Sequence, residues 1–266
     1  MKTKLSKDEI DFYQQEGYLH IHGLLSREEA ASYRDESHRL AERSGNQDGT
    51  WSSVRAADPE KLMRLSHCHD TQFYSAAFSR LLVDPRITGI AQGIIGPNVQ
   101  LHHTKMFIKP PENGAPFPMH QDYPYFPHEK HSMIAVIIHF DDAPLEKGCV
   151  TVVPGTHKLG PLEAVGDDHR LPEDRFPPEK ATPLPAQAGD AIFMSYLLVH
   201  GSGVNQSKEA RTTILIQMRD PTDTPLVERH VSRGQGMMLA GIDPRLSKFE
   251  FAWAANTTPP SDILSS

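Results

Sequence analysis

His120-Gln-Asp122, followed by His200 and then Arg211, brings together the residue types most able to do chemistry in this chain. An imidazole and a carboxylate two residues apart, with a second imidazole far downstream, can supply three ligands to one face of a metal. The opposite face stays open, which is the 2-His-1-carboxylate donor set suited to non-haem Fe(II) and O2. Arg211 carries a planar fork that can hold a dicarboxylate co-substrate by a bidentate grip. The competing reading of Arg211 is an exposed strand arginine, the commoner fate of that residue.

The chain has fifteen histidines, and His-x-Asp occurs a second time at His139-Phe-Asp141. Context separates the two copies. His139 closes the apolar run Ile134 to Phe140, where a strand is expected to end and turn out to solvent. His120 and Asp122 lie between the Pro/Gly-rich stretch Pro110 to Pro118 and the aromatic Tyr123-Pro-Tyr-Phe126. A strand-to-loop junction walled by aromatic rings is the better place for a partly dry metal site.

The elements that must position these residues change character along the chain. Ser6-Lys-Asp-Glu9 and Ser26-Arg-Glu-Glu29 read as capping boxes opening helices, the second continuing through Ala30, Tyr33 and Leu40. A third helix is predicted from Asp84-Pro85, burying Ile87, Ile90, Ala91 and Ile94 and stopping at Gly96-Pro97. Strands follow at Val99 to Ile108, Ile134 to Phe140, Val150 to Val153, Ala191 to Val199 and Thr212 to Met218, each short and bounded by turn residues. Helices outside a many-stranded β core imply a mainly β fold, a jelly roll with a helical flank. A single domain is expected over residues 1–256, with 257–266 a loose tail. The polar, proline-rich stretch Leu159 to Pro185 is too long for an ordinary loop and reads as a lid-like insertion.

With 38% hydrophobic and 23% charged residues in 266, the chain can bury a full core and still carry a charged surface. The net charge of −7 argues against a nucleic-acid footprint, and no apolar run reaches transmembrane length. The N-terminus lacks the apolar stretch of a signal peptide, and the C-terminus shows no peroxisomal address. Cys68 and Cys149 are too few for a disulfide framework and are expected to be buried thiols. A cytoplasmic enzyme acting on a small molecule, without a membrane or nucleic-acid partner, is the expectation; oligomeric state is not readable.

A set of motifs then carries a resemblance. Gly96-Pro-Asn98, His103-Thr104, Lys109-Pro-Pro111, His120-Gln-Asp122, Tyr125-Phe-Pro127, Gly148-Cys149, Pro154-Gly-Thr-His-Lys158, His200-Gly-Ser-Gly203 and Arg211 occur in the order and near the spacing found in the phytanoyl-CoA dioxygenase family. The chain resembles that family over about residues 8 to 240. The resemblance implies a double-stranded β-helix, a form of jelly roll, and an Fe(II)- and 2-oxoglutarate-dependent hydroxylase that consumes O2 and releases succinate and CO2. It implies that His120, Asp122 and His200 hold Fe(II) and that Arg211 holds the distal carboxylate of 2-oxoglutarate. Lys105, Gln121 and Ser202 fall at co-substrate-lining positions. Strand alternation puts Lys105 on one face with His103 and Phe107, and an outward, solvated lysine is the alternative. Gln121 and Ser202 could instead only satisfy backbone groups.

The chain also departs from the family. Ile138 stands where mammalian members carry a tryptophan, and His67-Cys-His69 where they carry a lysine, so a phytanoyl-CoA substrate is not implied. Asp122 separates the chain from halogenating relatives, which have a small residue there. Tyr123, Tyr125, His128 and His131 could line the mouth of the site, and Arg229, His230 and Arg233 could meet an anionic group. Surface charge and packing are the alternatives for these residues. His102 is read as a strand residue, and Trp51 and Trp253 as packing residues. Two rival functions share the donor set: a cupin-like hydrolase or isomerase using Zn(II), and a non-catalytic metabolite-binding jelly roll. The first has no need of Arg211, and the second no need of the triad.

Overall fold

The computed structural model describes residues 2–43, 52–58, 61–112, 114–166, 169–227 and 231–246. The expectations for Trp51, Arg229, His230, Trp253 and the tail 257–266 lie outside the described residues.

The helical flank begins where the sequence placed it. Helix α1 (Lys7–Glu16) opens on the reciprocal Ser6–Glu9 capping box and closes on Gly17 in the left-handed region. In α2 (Arg27–Arg43), the Ser26 amide donates to Glu29 Oε2 at 2.7 Å and the Glu29 amide to Ser26 Oγ at 3.2 Å. Helix α4 (Pro85–Ile95) is capped by Asp84 and buries Ile87, Ile90 and Ala91. Between them lies α3 (Ala76–Leu82), whose seven residues are too few to show a helical period in the sequence.

Two antiparallel sheets follow. The larger runs β1 (Tyr18–Ile21), β9 (Ala191–Ser195), β6 (Ile134–His139), β11 (Arg211–Arg219), β4 (Val99–Lys109), β3 (Lys61–His69) and β2 (Ser52–Asp58), with β12 (Met238–Ala240) also on β4. The smaller runs β5 (Phe117–His120), β10 (Val199–Ser202), β7 (Val150–Val153) and β8 (Thr182–Leu184). Together they form the curled double-stranded β-helix. The predicted strand Ala191 to Val199 is in fact two strands in different sheets. The Leu198 amide turns back to the Ser195 carbonyl at 2.9 Å, and the chain crosses from one sheet to the other at 196–198.

Strand alternation sorts the larger sheet into two faces. Met106, Ile108, Val136, Ile138, Ile214 and Ile216 pack against α2, α3 and α4 in one core. Residues of opposite parity face the smaller sheet: Ile192, Met194 and Ala135 pack with Val150, Val152 and Leu198. One bulge sets this sorting on β4. Gln217 pairs with His103 but Met218 pairs with Leu101, so His102 is the extra residue. Val99 and Leu101 before the bulge and Met106 and Ile108 after it all reach the helical core, despite opposite parity.

His139 corrects an expectation: it does not turn out to solvent but is fully buried, and neither ring nitrogen has a hydrogen-bond partner. Asp141, just beyond, accepts the Thr212 amide. Cys68 and Cys149 are buried free thiols, as expected. The segment 159–185 packs on the smaller sheet: Leu171 and Phe176 bury against Met119 and Val199, and the Leu171 amide donates to Met119 O at 2.8 Å. Among the described residues no helix is long and apolar enough to cross a membrane.

Candidate metal centre

His120 ends β5 and His200 lies on β10, and the two are register partners across the smaller sheet. Asp122 follows His120 into the loop, where its amide donates to the Tyr196 carbonyl at the sheet crossing, 2.9 Å. The three donor atoms that could hold a metal therefore converge between the sheets. Asp122 Oδ1 is 3.7 Å from His120 Nε2 and 3.8 Å from His200 Nε2, and the imidazole centroids are 4.3 Å apart.

Hydrogen bonds orient each of the three side chains. His120 Nδ1 sits 2.7 Å from Pro118 O, and His200 Nδ1 sits 3.0 Å from Leu198 O. A carbonyl can only accept, so both Nδ1 atoms carry a proton and both Nε2 atoms are turned to the centre, the orientation a metal needs. Gln217, on β11, donates to Asp122 Oδ2 at 2.6 Å and leaves Oδ1 to the centre. Burial opposes charge on Asp122, but the facing imidazoles and Gln217 outweigh it and hold its pKa at about 2. Burial, reinforced by His120, pushes His200 down to about 4, so its ring is neutral near pH 7. One ionised carboxylate and two imidazoles that direct Nε2 inward fit a divalent iron.

The triad lies at the junction of two cavities. The smaller, about 100 Å3, runs past His200, Ser202 and Thr213 to Arg211. Arg211 is buried; its Nη1 donates to Gly148 O, and its Nε has no partner. Burial lowers its pKa to about 10, so it remains a cation. Its register partner on β4 is Lys109, also fully buried, which donates to Ser202 Oγ and Gly203 O, both at 2.8 Å. Lys109 lies in a motif the sequence reading quoted but gave no role. Its signal is the pairing of two cations, visible only once β4 lies beside β11. The larger cavity, about 340 Å3, is lined by His69, Asp70, His103, Lys105, Tyr125 and Gln217 among others, and shares Phe107, Phe117 and Leu215 with the smaller.

The remaining sequence candidates separate. Ser202 joins Arg211 in the small cavity, whereas Lys105 lines the large one, its Nζ 5.0 Å from the Phe107 ring centroid. Gln121 lines neither. Its amide donates to Gly160 O and Leu197 O and accepts the Leu162 amide, tying the 160–162 loop to the sheet crossing. Ile138 belongs to the helical core, and its neighbour Ile137 lines the small cavity instead. Of the aromatic and histidine residues after the triad, Tyr125 reaches the large cavity. Tyr123 and His131 pack on Tyr196, and His128 is buried beneath His102. His102 is held against His103 at 2.8 Å, and Arg233 stacks on Phe73.

A double-stranded β-helix carrying two histidines and an aspartate on one face of an open centre defines a non-haem Fe(II)- and 2-oxoglutarate-dependent dioxygenase. The sequence profile of the phytanoyl-CoA dioxygenase (PhyH) family matches residues 13–213, and the chain belongs to that family. It is similar to bovine (Bos taurus) peroxisomal phytanoyl-CoA dioxygenase, at 29% identity over 81% of this chain and 69% of the relative. It also resembles a probable alpha-ketoglutarate-dependent hypophosphite dioxygenase of Stutzerimonas stutzeri, at 26% identity over 77% and 75% of the two chains. Among solved structures, the epimerase SnoN in complex with Fe3+, alpha ketoglutarate and nogalamycin RO superposes with a TM-score of 0.68. That alignment has 26% identity and covers 89% of this chain and 96% of SnoN.

Proposed function

We propose that the chain hydroxylates a small molecule held in the larger cavity, with His120, Asp122 and His200 binding Fe(II) and Arg211 and Ser202 receiving 2-oxoglutarate in the smaller. The observation that carries this is the position of the triad between two cavities, one of which ends on the buried Arg211. Iron bound there supplies O2 activation coupled to decarboxylation of the co-substrate. The protein contributes placement. The fixed imidazole tautomers present lone pairs, Gln217 orients the carboxylate, and Phe107, Phe117 and Leu215 keep the junction apolar. A dicarboxylate whose far end meets the Arg211 fork satisfies the unpartnered Nε and offsets the charge of Lys109.

Lys105 and Tyr125 face the other side of the centre and are proposed to contact the primary substrate. Lys105 on that side, rather than beside Arg211, favours a substrate bearing an anionic or hydrogen-bond-accepting group. The described elements share a core drawn from Leu19 to Leu239, which supports one catalytic domain. Within it, segment 159–185 is proposed to cover the larger cavity, since His169 meets Tyr125 edge-on at 4.7 Å and Arg170 bridges to His120. A cytoplasmic location is part of the proposal, supported by two free thiols that suit a reducing compartment.

Succinate formation tests the reading. Iron-free protein supplied with Fe(II), 2-oxoglutarate and air should release succinate, faster with the right member of a metabolite library, and Asp122→Ala should not. Equal succinate from wild type and Asp122→Ala would remove the triad from the reaction and return the site to the Zn(II) hydrolase or binding-protein readings.

A further inference from the structure

His20 lies on the edge strand β1 and His22 in the turn directly after it. They converge on one oxygen of Asp190, the residue before β9. His20 Nε2 is 3.1 Å and His22 Nδ1 3.0 Å from Asp190 Oδ2, and the ring centroids are 4.1 Å apart. The carboxylate does not depend on the histidines for its position. Its Oδ1 accepts the Gly23 amide at 2.8 Å, and its Oδ2 accepts the Gln187 amide at 3.0 Å. Asp190 is buried, His20 nearly so, and His22 is exposed. His22, Gly23 and Asp190 together wall an open groove of about 530 Å3.

Anchoring alone does not account for this arrangement. Two backbone amides already hold the carboxylate, so a second imidazole packed against the first adds nothing to its placement. The donor chemistry does account for it. Two imidazoles and a carboxylate are ligands for late first-row divalent ions. A tetrahedral ion about 2.0–2.2 Å from each holds its donor atoms about 3.3–3.6 Å apart, so a small outward rotation of the two rings from their present 3.0–3.1 Å contacts with Oδ2 opens the space for it. Backbone donors that fix a ligating carboxylate are the usual support for such a centre.

We propose that His20, His22 and Asp190 form a second divalent-metal site, distinct from the His120–Asp122–His200 centre, that takes Zn(II) and leaves its remaining position open to the groove. The bound ion would staple the edge strand β1 to the start of β9. The cation lining the groove beside it, Arg27, is exposed and paired with Asp142 rather than buried like Arg211, so the role of the ion is structural.

Metal counting on the tag-free, iron-free full chain tests this. At saturating Zn(II) in equilibrium dialysis, wild type should hold two ions, and His22→Ala and His120→Ala one each. The exposed position of His22 makes its substitution mild for folding. Iron-dependent succinate release should be unchanged in His22→Ala. In Asp122→Ala, whose other centre is broken, Zn(II) should still raise the unfolding temperature, and in Asp122→Ala combined with His22→Ala it should not. Equal Zn(II) content in wild type and His22→Ala, or no Zn(II)-dependent shift in Asp122→Ala, would overturn the proposal. Neither comparison depends on the iron centre being assigned correctly.

Discussion

Lys109 and Arg211 are direct partners across the β4–β11 ladder, both buried, and neither is paired with a carboxylate among the described residues. Burial pushes the Lys109 ammonium well below its ordinary pKa, and Arg211 beside it pushes further in the same direction. Two desolvated cations side by side are costly unless an anion joins them. Of the two, Arg211 lines the small cavity, where a carboxylate would offset the charge of both.

Arg211→Lys keeps the charge but loses the planar fork. The expected effect is weaker 2-oxoglutarate binding by about 1–3 kcal/mol, the range for leaving a buried polar group unsatisfied. The measurement is the KM for 2-oxoglutarate in succinate release, and an unchanged value would place that carboxylate away from Arg211.

Lys109→Met removes one of the two cations while keeping an unbranched side chain of similar length. The free protein should be no less stable than wild type in urea unfolding, because a buried charge is replaced by packing. Its KM for 2-oxoglutarate should nevertheless rise. A variant that loses stability and keeps its KM would make Lys109 a scaffold residue for Ser202 and Gly203 only.

Gln217→Leu deletes the donor to Asp122 Oδ2 without touching a ligand. Removing such a supporting hydrogen bond typically weakens metal binding by about 10–100-fold. Fe(II) titration of succinate release should show that loss, with activity recovered at high Fe(II). His120→Ala, Asp122→Ala and His200→Ala should instead be inactive at any Fe(II) while keeping the wild-type circular dichroism spectrum.

His139 predicts a pH dependence of stability. Burial, with Arg211 and His20 adding to it, pushes its pKa from 6.5 in the ordinary state to about 3 in the fold. The unfolded chain therefore binds a proton that the folded chain refuses. This contribution is intact above pH 6.5 and is lost as pH falls from 6.5 toward 3. At pH 5 the loss is about 2 kcal/mol relative to pH 7.5. Urea unfolding of His139→Leu should show a shallower decline over that interval, and a parallel decline would mean the folded protein protonates His139 easily.

The cover proposed for the larger cavity is docked at Arg170 and Leu171 along β5, at and beside the proposed metal ligand His120. Fixing His120 should fix this contact. Trypsin cleavage after Arg170 is expected to slow when Mn(II) and 2-oxoglutarate are added to iron-free protein. Equal rates would make the segment a static part of the surface.

Several features are local in origin and were legible without the fold. The Ser6–Glu9 and Ser26–Glu29 boxes and the Asp84 cap start helices through contacts within one turn. The β-branched runs of β4, β6, β7 and β11 needed only their own composition, and the order of the motifs pointed to His120, Asp122 and His200, which the fold brings together. Other features depend on which strand lies beside which. The bulge at His102 decides that His103, Lys105 and Phe107 face the cavities, and no residue nearby announces it. The crossing after Ser195 looks in sequence like one continuous apolar strand, because both halves are buried, yet it carries His200 to His120. Ile137 rather than Ile138 meets the small cavity because the register with Leu215 sets the face of β6. Lys109 became a cation beside Arg211, and His139 a buried ring, only when β11 was laid against β4 and β6. The sequence by itself determined the chemistry available, since that resides in residue type; the tertiary structure decided its direction, since burial and pairing are set by neighbours distant in the chain.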